Sequence, residues 1–135
     1  RLLPSYDIIT LLIGVNNQYR GRSIDDYKKE FEELLQKAIV LAGNQHEKVF
    51  VVSIPDWGIT PFADGRDREK VAKEIDAYNA ACKMITESRH CSFTDITTSQ
   101  RKDGAQEDFL APDKLHPSGN EYAKWAAALA AIIKI

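Results

Sequence analysis

The stretch Tyr6-Asp7-Ile8-Ile9-Thr10-Leu11-Leu12-Ile13-Gly14-Val15-Asn16-Asn17 decides the fold. Its apolar run is short, lacks a helical period and ends at a glycine, which predicts a β-strand over 6–13. Both faces of that strand are apolar, so both are expected to be covered, as in a parallel sheet between helical layers. The run is interrupted by Thr10 and Gly14 and falls far short of the ~20 residues that a bilayer span needs, so no membrane span is expected.

Downstream, 48–54 repeats the pattern through Val49, Phe50, Val51 and Val52, and Pro55 stops it because proline cannot donate to a ladder. A shorter strand with alternating polar and apolar residues follows at 92–96. Between the strands lie two amphipathic helices. Ser23 starts the first, with Asp26 as a capping-box variant, and its stripe is Ile24, Tyr27, Phe31, Leu34, Leu35, Ala38 and Ala42. Gly43-Asn44 ends it. The second carries Val71, Ile75, Tyr78, Cys82 and Ile85. A polar connection runs to Gly104, and a helical turn is expected near 105–110. Ser118 with Glu121 forms the capping box of a last helix, whose expected buried face is Tyr122, Trp125, Ala126, Leu129, Ile132 and Ile133.

The order β-α-β-α-β-α implies a parallel sheet with right-handed crossovers, and ligands bind such sheets at the carboxyl ends of the strands. The chain has 135 residues, 44% of them apolar, so a single domain over 1–135 is expected. Its 18 basic and 20 acidic residues give a net charge of −2, which offers no reason to expect a nucleic-acid partner. Cys82 and Cys91 have no ligand-like spacing and read as ordinary buried thiols. His46, His90 and His116 are too scattered for a zinc site, so neither a metal nor another cofactor is expected.

Three strands leave a difficulty. The second suits the middle and the third an edge, so the first becomes a hydrophobic edge of the kind soluble proteins avoid. Something is expected to pair with it, either an N-terminal segment absent from this sequence or a second molecule. Arg1 stands where Met would open a chain, which also points to a truncated domain.

The chemistry is expected at the same strand ends. In Asp113-Lys114-Leu115-His116 a carboxylate three residues before an imidazole can fold back to accept its N–H, fixing the tautomer of a general base. The alternative is a surface pair near a helix start. Asn16 follows a buried strand and Gly14, where an amide can donate to a developing oxyanion or simply serve a turn. Tyr19, Arg20 and Arg22 lie just beyond and can line a substrate entrance, or be solvated loop residues. Trp57 and Phe62 either wall a pocket or anchor their loop. No serine has the turn-and-glycine context of an activated nucleophile; Ser23 and Ser118 read as helix caps.

Gly14-Val15-Asn16-Asn17 resembles the GxND block, and Asp113-Lys114-Leu115-His116 the DxxH block, of the SGNH (GDSL-type) hydrolases. The stretches YDIITLLIGVNNQYRG and SIPDWGITPF are similar to a bacterial branch of that family. The resemblance implies a flavodoxin-like three-layer α/β/α sandwich with a parallel sheet, its first strands missing, and hydrolysis of a small acyl ester by a serine nucleophile. The ester would be an acetylated sugar or a lysophospholipid-like molecule. By position, His116 would be the base, Asp113 its orienting carboxylate and Asn16 the oxyanion donor, with Asn17, Tyr19 and Trp57 against the substrate. Asn17 stands where the block has aspartate. The blocks with the serine and with a glycine oxyanion donor precede this region and are absent, so the chain alone is expected to be inactive. The competing expectation is a non-catalytic module that recruits a partner by adding a strand to its exposed edge.

Overall fold

The strand β2, Val49–Val52, is buried at every position. A computed structural model of the chain, which describes residues 2–134, shows why. β2 lies between β1 (Ile9–Leu11) and β3 (Ser92–Thr94) in a parallel sheet of order β1-β2-β3. Ile9, Thr10 and Leu11 pair with Val49, Phe50 and Val51, while Phe50, Val51 and Val52 pair with Ser92, Phe93 and Thr94. The helices are α1 (Val15–Tyr19), α2 (Ile24–Leu41), α3 (Arg68–Ser88), α4 (Thr97–Asp103) and α5 (Gly119–Ile132).

Successive side chains of a strand point to opposite faces, and the register turns that alternation into two layers. Ile9, Leu11, Val49, Val51 and Phe93 share the main core, where α2 brings Tyr27, Phe31 and Leu35 and α3 brings Val71, Ile75 and Cys82. On the other face Val52 packs with Ile96, Trp125 and Leu129, which places α5 there. Helices on both faces of a parallel sheet give the three-layer α/β/α sandwich expected from the sequence, with β2 central and β1 at an edge. Cys82 and Cys91 are buried free thiols.

The departures from expectation concentrate where cover is thin. β1 is three residues long; Thr10, Leu12 and Ile13 are exposed, and Ile9 and Leu11 only half-buried. A strand with one paired edge and one covered face cannot bury both apolar faces. For the same reason α5 buries only Trp125 of its expected face, with Leu129 partly covered and Tyr122, Ala126 and Ile132 exposed. In α2 the stripe is rotated slightly: Ile39 is buried and Leu34 is exposed.

The caps differ in kind. Ser23 caps α2 by accepting from the Asp26 N–H at 3.1 Å, as expected. Ser118 caps α5 through the Asn120 N–H, but Glu121 does not complete a box; it is buried, bound to Trp125 Nε1 at 2.8 Å and Lys124 Nζ at 3.1 Å. The polar connection before Gly104 contains α4, which carries no apolar stripe to announce it. Polar caps hold its start: Asp95 Oδ1 accepts from the N–H groups of Thr97 and Thr98, and Ser53 Oγ from those of Ile96 and Thr97. Two single 3₁₀ turns, Trp57–Ile59 and Pro61–Ala63, shape the loop after β2, and another spans Glu107–Phe109.

Gly14 sets the direction in which the chain leaves β1. Its φ is 130°, a region that L side chains rarely adopt, and an added Cβ would stand 2.7 Å from Tyr27 Cε2. Tyr27 cannot retreat easily, because its hydroxyl donates to the Ile13 carbonyl at 3.2 Å and its ring stacks on Tyr78 at 4.4 Å. Gly14→Ala is therefore expected to lower unfolding stability by about 2 kcal/mol or more, read as a fall in urea midpoint at unchanged m-value.

Candidate active site

Parallel pairing sends the ends of all three strands to the same side of the sheet, where three loops meet. The first starts at Gly14 and becomes α1. Asn16 and Tyr19, three apart on this one-turn helix, share a side and line the cavity described below. Gln18, between them, points inward and is 4% exposed. Its Oε1 accepts from Trp57 Nε1 at 2.7 Å and its Nε2 donates to Glu74 at 2.7 Å, so α1 is fastened to the second loop and to α3.

That second loop follows β2 and turns on Asp56, a buried carboxylate. Its Oδ1 accepts from the Gly58 N–H at 2.8 Å and its Oδ2 pairs with Arg101 Nε at 2.9 Å. Gln100 of α4 binds the Asp56 backbone on both sides, accepting from its N–H at 3.0 Å and donating to its carbonyl at 3.1 Å. The N–H, the carbonyl and both carboxylate oxygens of Asp56 thus each have a partner, which is what allows them to be buried. The bend presents Trp57 edge-on to Tyr19 at 5.2 Å, and Phe62 packs against both rings.

The third loop carries Asp113 and His116. An antiparallel bridge between Leu110 and Pro117 closes it, with the Ala111 N–H donating to the His116 carbonyl at 2.8 Å. Lys114 takes a left-handed φ of 60° to complete the turn. Asp113 then folds back on its own loop: Oδ1 accepts from the N–H groups of Leu115 at 3.0 Å and His116 at 2.9 Å, and Oδ2 lies 2.5 Å from His116 Nδ1. The ring of His116, followed by these two backbone donors, holds the Asp113 carboxyl down to about 2. An ionised carboxylate only accepts, so Nδ1 carries the shared proton and Nε2 is left for chemistry. The Phe62 N–H donates to the Lys114 carbonyl at 3.3 Å, tying this loop to the aromatic one.

Asn16 and His116 line one cavity of about 320 Å³, together with Tyr19, Trp57, Phe62 and Gln100. Val15, Pro55, Leu115 and Pro117 complete its apolar wall. Residues separated by a hundred positions in sequence are thereby brought to one site. Asn17, expected against the substrate, lies elsewhere: its amide donates to Glu30 at 2.6 Å, and it does not line the cavity. The sequence offered no pointer to Gln18 or Gln100. A glutamine within a helical turn reads as a solvated residue, and only the tertiary fold shows that both amides are bonded to partners distant in sequence. Among the described residues, no group of three or more His, Cys, Asp and Glu is arranged to hold a metal ion, and no helix is long and apolar enough to cross a membrane.

No curated protein matches the sequence significantly. Solved structures do resemble the fold. An α/β hydrolase enzyme from the metagenome of Lake Arreo, Spain, matches with a TM-score of 0.71 at 17% identity, over 93% of this chain and 59% of that one. A lipase/acylhydrolase from Enterococcus faecalis matches with 0.68 at 17% identity, over 93% and 60%. A mutant of an acetyl-xylooligosaccharide esterase from Geobacillus Stearmophilus matches with 0.69 at 18% identity, over 96% and 60%. At such identities the likeness is one of fold, and the chain spans about 60% of the length of these structures. The sequence itself matches the family described as GDSL-like Lipase/Acylhydrolase over residues 1–124, from ahead of β1 to within α5. The chain belongs to the GDSL-like lipase/acylhydrolase family.

Proposed function

We propose that this chain supplies the general base, its orienting carboxylate and an oxyanion donor of a serine hydrolase acting on small acyl esters. The observation that carries the reading is the Asp113–His116 contact of 2.5 Å placed on the same cavity as Asn16. No serine lines that cavity among the described residues. Ser53 is buried and bonded within the α4 cap, Ser88 donates to the Ile85 carbonyl, and Ser118 donates to the Asp108 carbonyl at 2.6 Å. The attacking hydroxyl is therefore assigned to polypeptide outside these residues, on a strand that pairs with the free edge of β1. The half-exposed Ile9 and Leu11 of that strand, and the greater length of the structures it resembles, support this placement.

In the proposed reaction the serine oxygen attacks the ester carbonyl while its proton passes to His116 Nε2. The Asn16 amide donates to the oxyanion of the tetrahedral intermediate. Collapse breaks the bond to the alcohol, which leaves with the proton held by His116. Water then repeats the sequence on the acyl-serine and releases the acid. Asp113 stays ionised throughout and stabilises the imidazolium without taking its proton.

Hydrolysis of p-nitrophenyl acetate tests this. The 135 residues alone are expected to be inert, and a polypeptide that includes the preceding strand and its serine to be active. In that longer protein His116→Ala and Asp113→Asn should each cost about 10³-fold or more in kcat/KM, and Asn16→Ala about 10²-fold. Activity of the short chain, or activity of the long one that survives His116→Ala, overturns the reading.

The carboxyl–imidazole contact has its own readout. Because the folded state holds Asp113 below its ordinary value of 3.8, the stability it contributes is complete above that pH and is lost as pH falls through about 2. A carbon-detected titration should find the Asp113 carboxyl midpoint near 2, moving up toward 3.8 in His116→Ala. An unchanged midpoint would show that the ring is not its partner.

A further inference from the structure

Asn16 sits on a helix with little of its own to hold it in place. α1 is five residues long, its start has no side-chain cap, and it carries no acidic residue in its first turn and no basic one in its last. A helix this short does not persist on its backbone bonds alone. Val15 leans on the core, and two side chains make polar ties. Asn17 donates to Glu30, which is half-exposed and shared with Arg22, so water can stand in for that bond. Gln18 is the one buried residue of α1, and both ends of its amide are bonded at 2.7 Å, Oε1 to the Trp57 indole N–H and Nε2 to Glu74. Breaking a buried bond of this kind strands the partner, so Gln18 is the tie that counts.

The two partners dictate the residue. An indole only donates and a carboxylate accepts, so the side chain between them must accept at one end and donate at the other, as an amide does. A carboxyl at this position would face Glu74 with like charge, and an apolar chain would leave the indole unpaired. The line Trp57–Gln18–Glu74 therefore runs from the cavity wall through α1 to α3. Asn16 and Tyr19 flank it and line the cavity, whereas Gln18 itself does not. What fixes α1 fixes where the Asn16 amide stands, and an error of about 1 Å in such a placement can cost about 10²-fold in rate.

We propose that Gln18 is a positioning residue for hydrolysis: by pinning α1 between Trp57 and Glu74 it sets the place of the Asn16 amide, without touching the ester. The kinetic consequence rests on the hydrolase reading; the placement of Asn16 does not.

The test uses the longer polypeptide that carries the serine, with p-nitrophenyl acetate at about pH 8, well above the ordinary carboxyl range, and rates referred to folded protein. Gln18→Glu keeps an acceptor for Trp57 but sets a carboxyl against Glu74. It is expected to lower kcat about tenfold while KM stays within about threefold. Gln18→Met, of similar size and able to make neither bond, should lower kcat at least as much and shift the indole N–H signal of Trp57. Adding Glu74→Gln to Gln18→Glu exchanges donor and acceptor, and should return kcat to within about threefold of the unmutated protein. The side-chain amide signals of Asn16, assigned with Asn16→Ala, should move in Gln18→Glu and return in the double variant. A residue that merely stabilised the fold would lower the urea midpoint and leave both the kcat of folded enzyme and the Asn16 signals unmoved. That result overturns the proposal, as does a loss confined to KM or a double variant no better than Gln18→Glu. If the unmutated protein does not hydrolyse the ester, the hydrolase reading falls, and the Asn16 signals alone decide whether Gln18 sets the place of that amide.

Discussion

Parallel pairing is the constraint on which everything else in this chain depends. Two parallel strands cannot be joined by a tight turn, so each return journey is made by a helix and each strand ends on the same side of the sheet. The three-stranded order with β2 in the middle delivers the ends of β1 and β2, and the loop beyond β3, to one place. The site follows from that delivery: Asn16 comes from the first loop, Trp57 from the second and His116 from the third.

Buried polar bonds, as well as apolar packing, hold the delivered loops in place. Asp56, Gln100 and Gln18 are buried, and every polar atom of their side chains has a partner. A buried carboxylate such as Asp56 is tolerable only with its partners present, and removing one partner typically costs several kcal/mol because it leaves a stranded charge. The hydrophobic core therefore sets where the layers sit, and this polar lattice sets where the wall of the cavity sits. The two kinds of interaction divide the labour between fold and site.

The fold was legible where packing is periodic. Val71, Ile75, Tyr78, Cys82 and Ile85 mark one face of α3, and all are buried. The strong run Val49–Val52 marks the central strand. Legibility failed where an element is held by side-chain caps and not by an apolar face, as in α4, and where an apolar face is exposed among the described residues, as for Tyr122 and Ile132 in α5. At the site, the short spacing from Asp113 to His116 was readable because the contact is local. Tyr19 and Trp57, read as either pocket-lining or ordinary loop residues, both line the cavity. Gln18 and Gln100 were not readable, since an amide's worth lies in partners 39 and 44 positions away. Asn17 looked like a substrate contact from its place next to Asn16, yet successive residues on a helix point in different directions, and it turns to Glu30 instead.

The loop from Leu110 to Pro117 is closed on itself by its bridge, and the Asp113 carboxylate is satisfied entirely by that loop's own atoms. The carboxylate–imidazole contact is consequently a portable property of the loop. If the segment shifts relative to the sheet, the imidazole changes its distance from Asn16 but keeps its tautomer and its counter-charge. The scaffold beneath can then change without the carboxylate–imidazole contact having to be rebuilt each time.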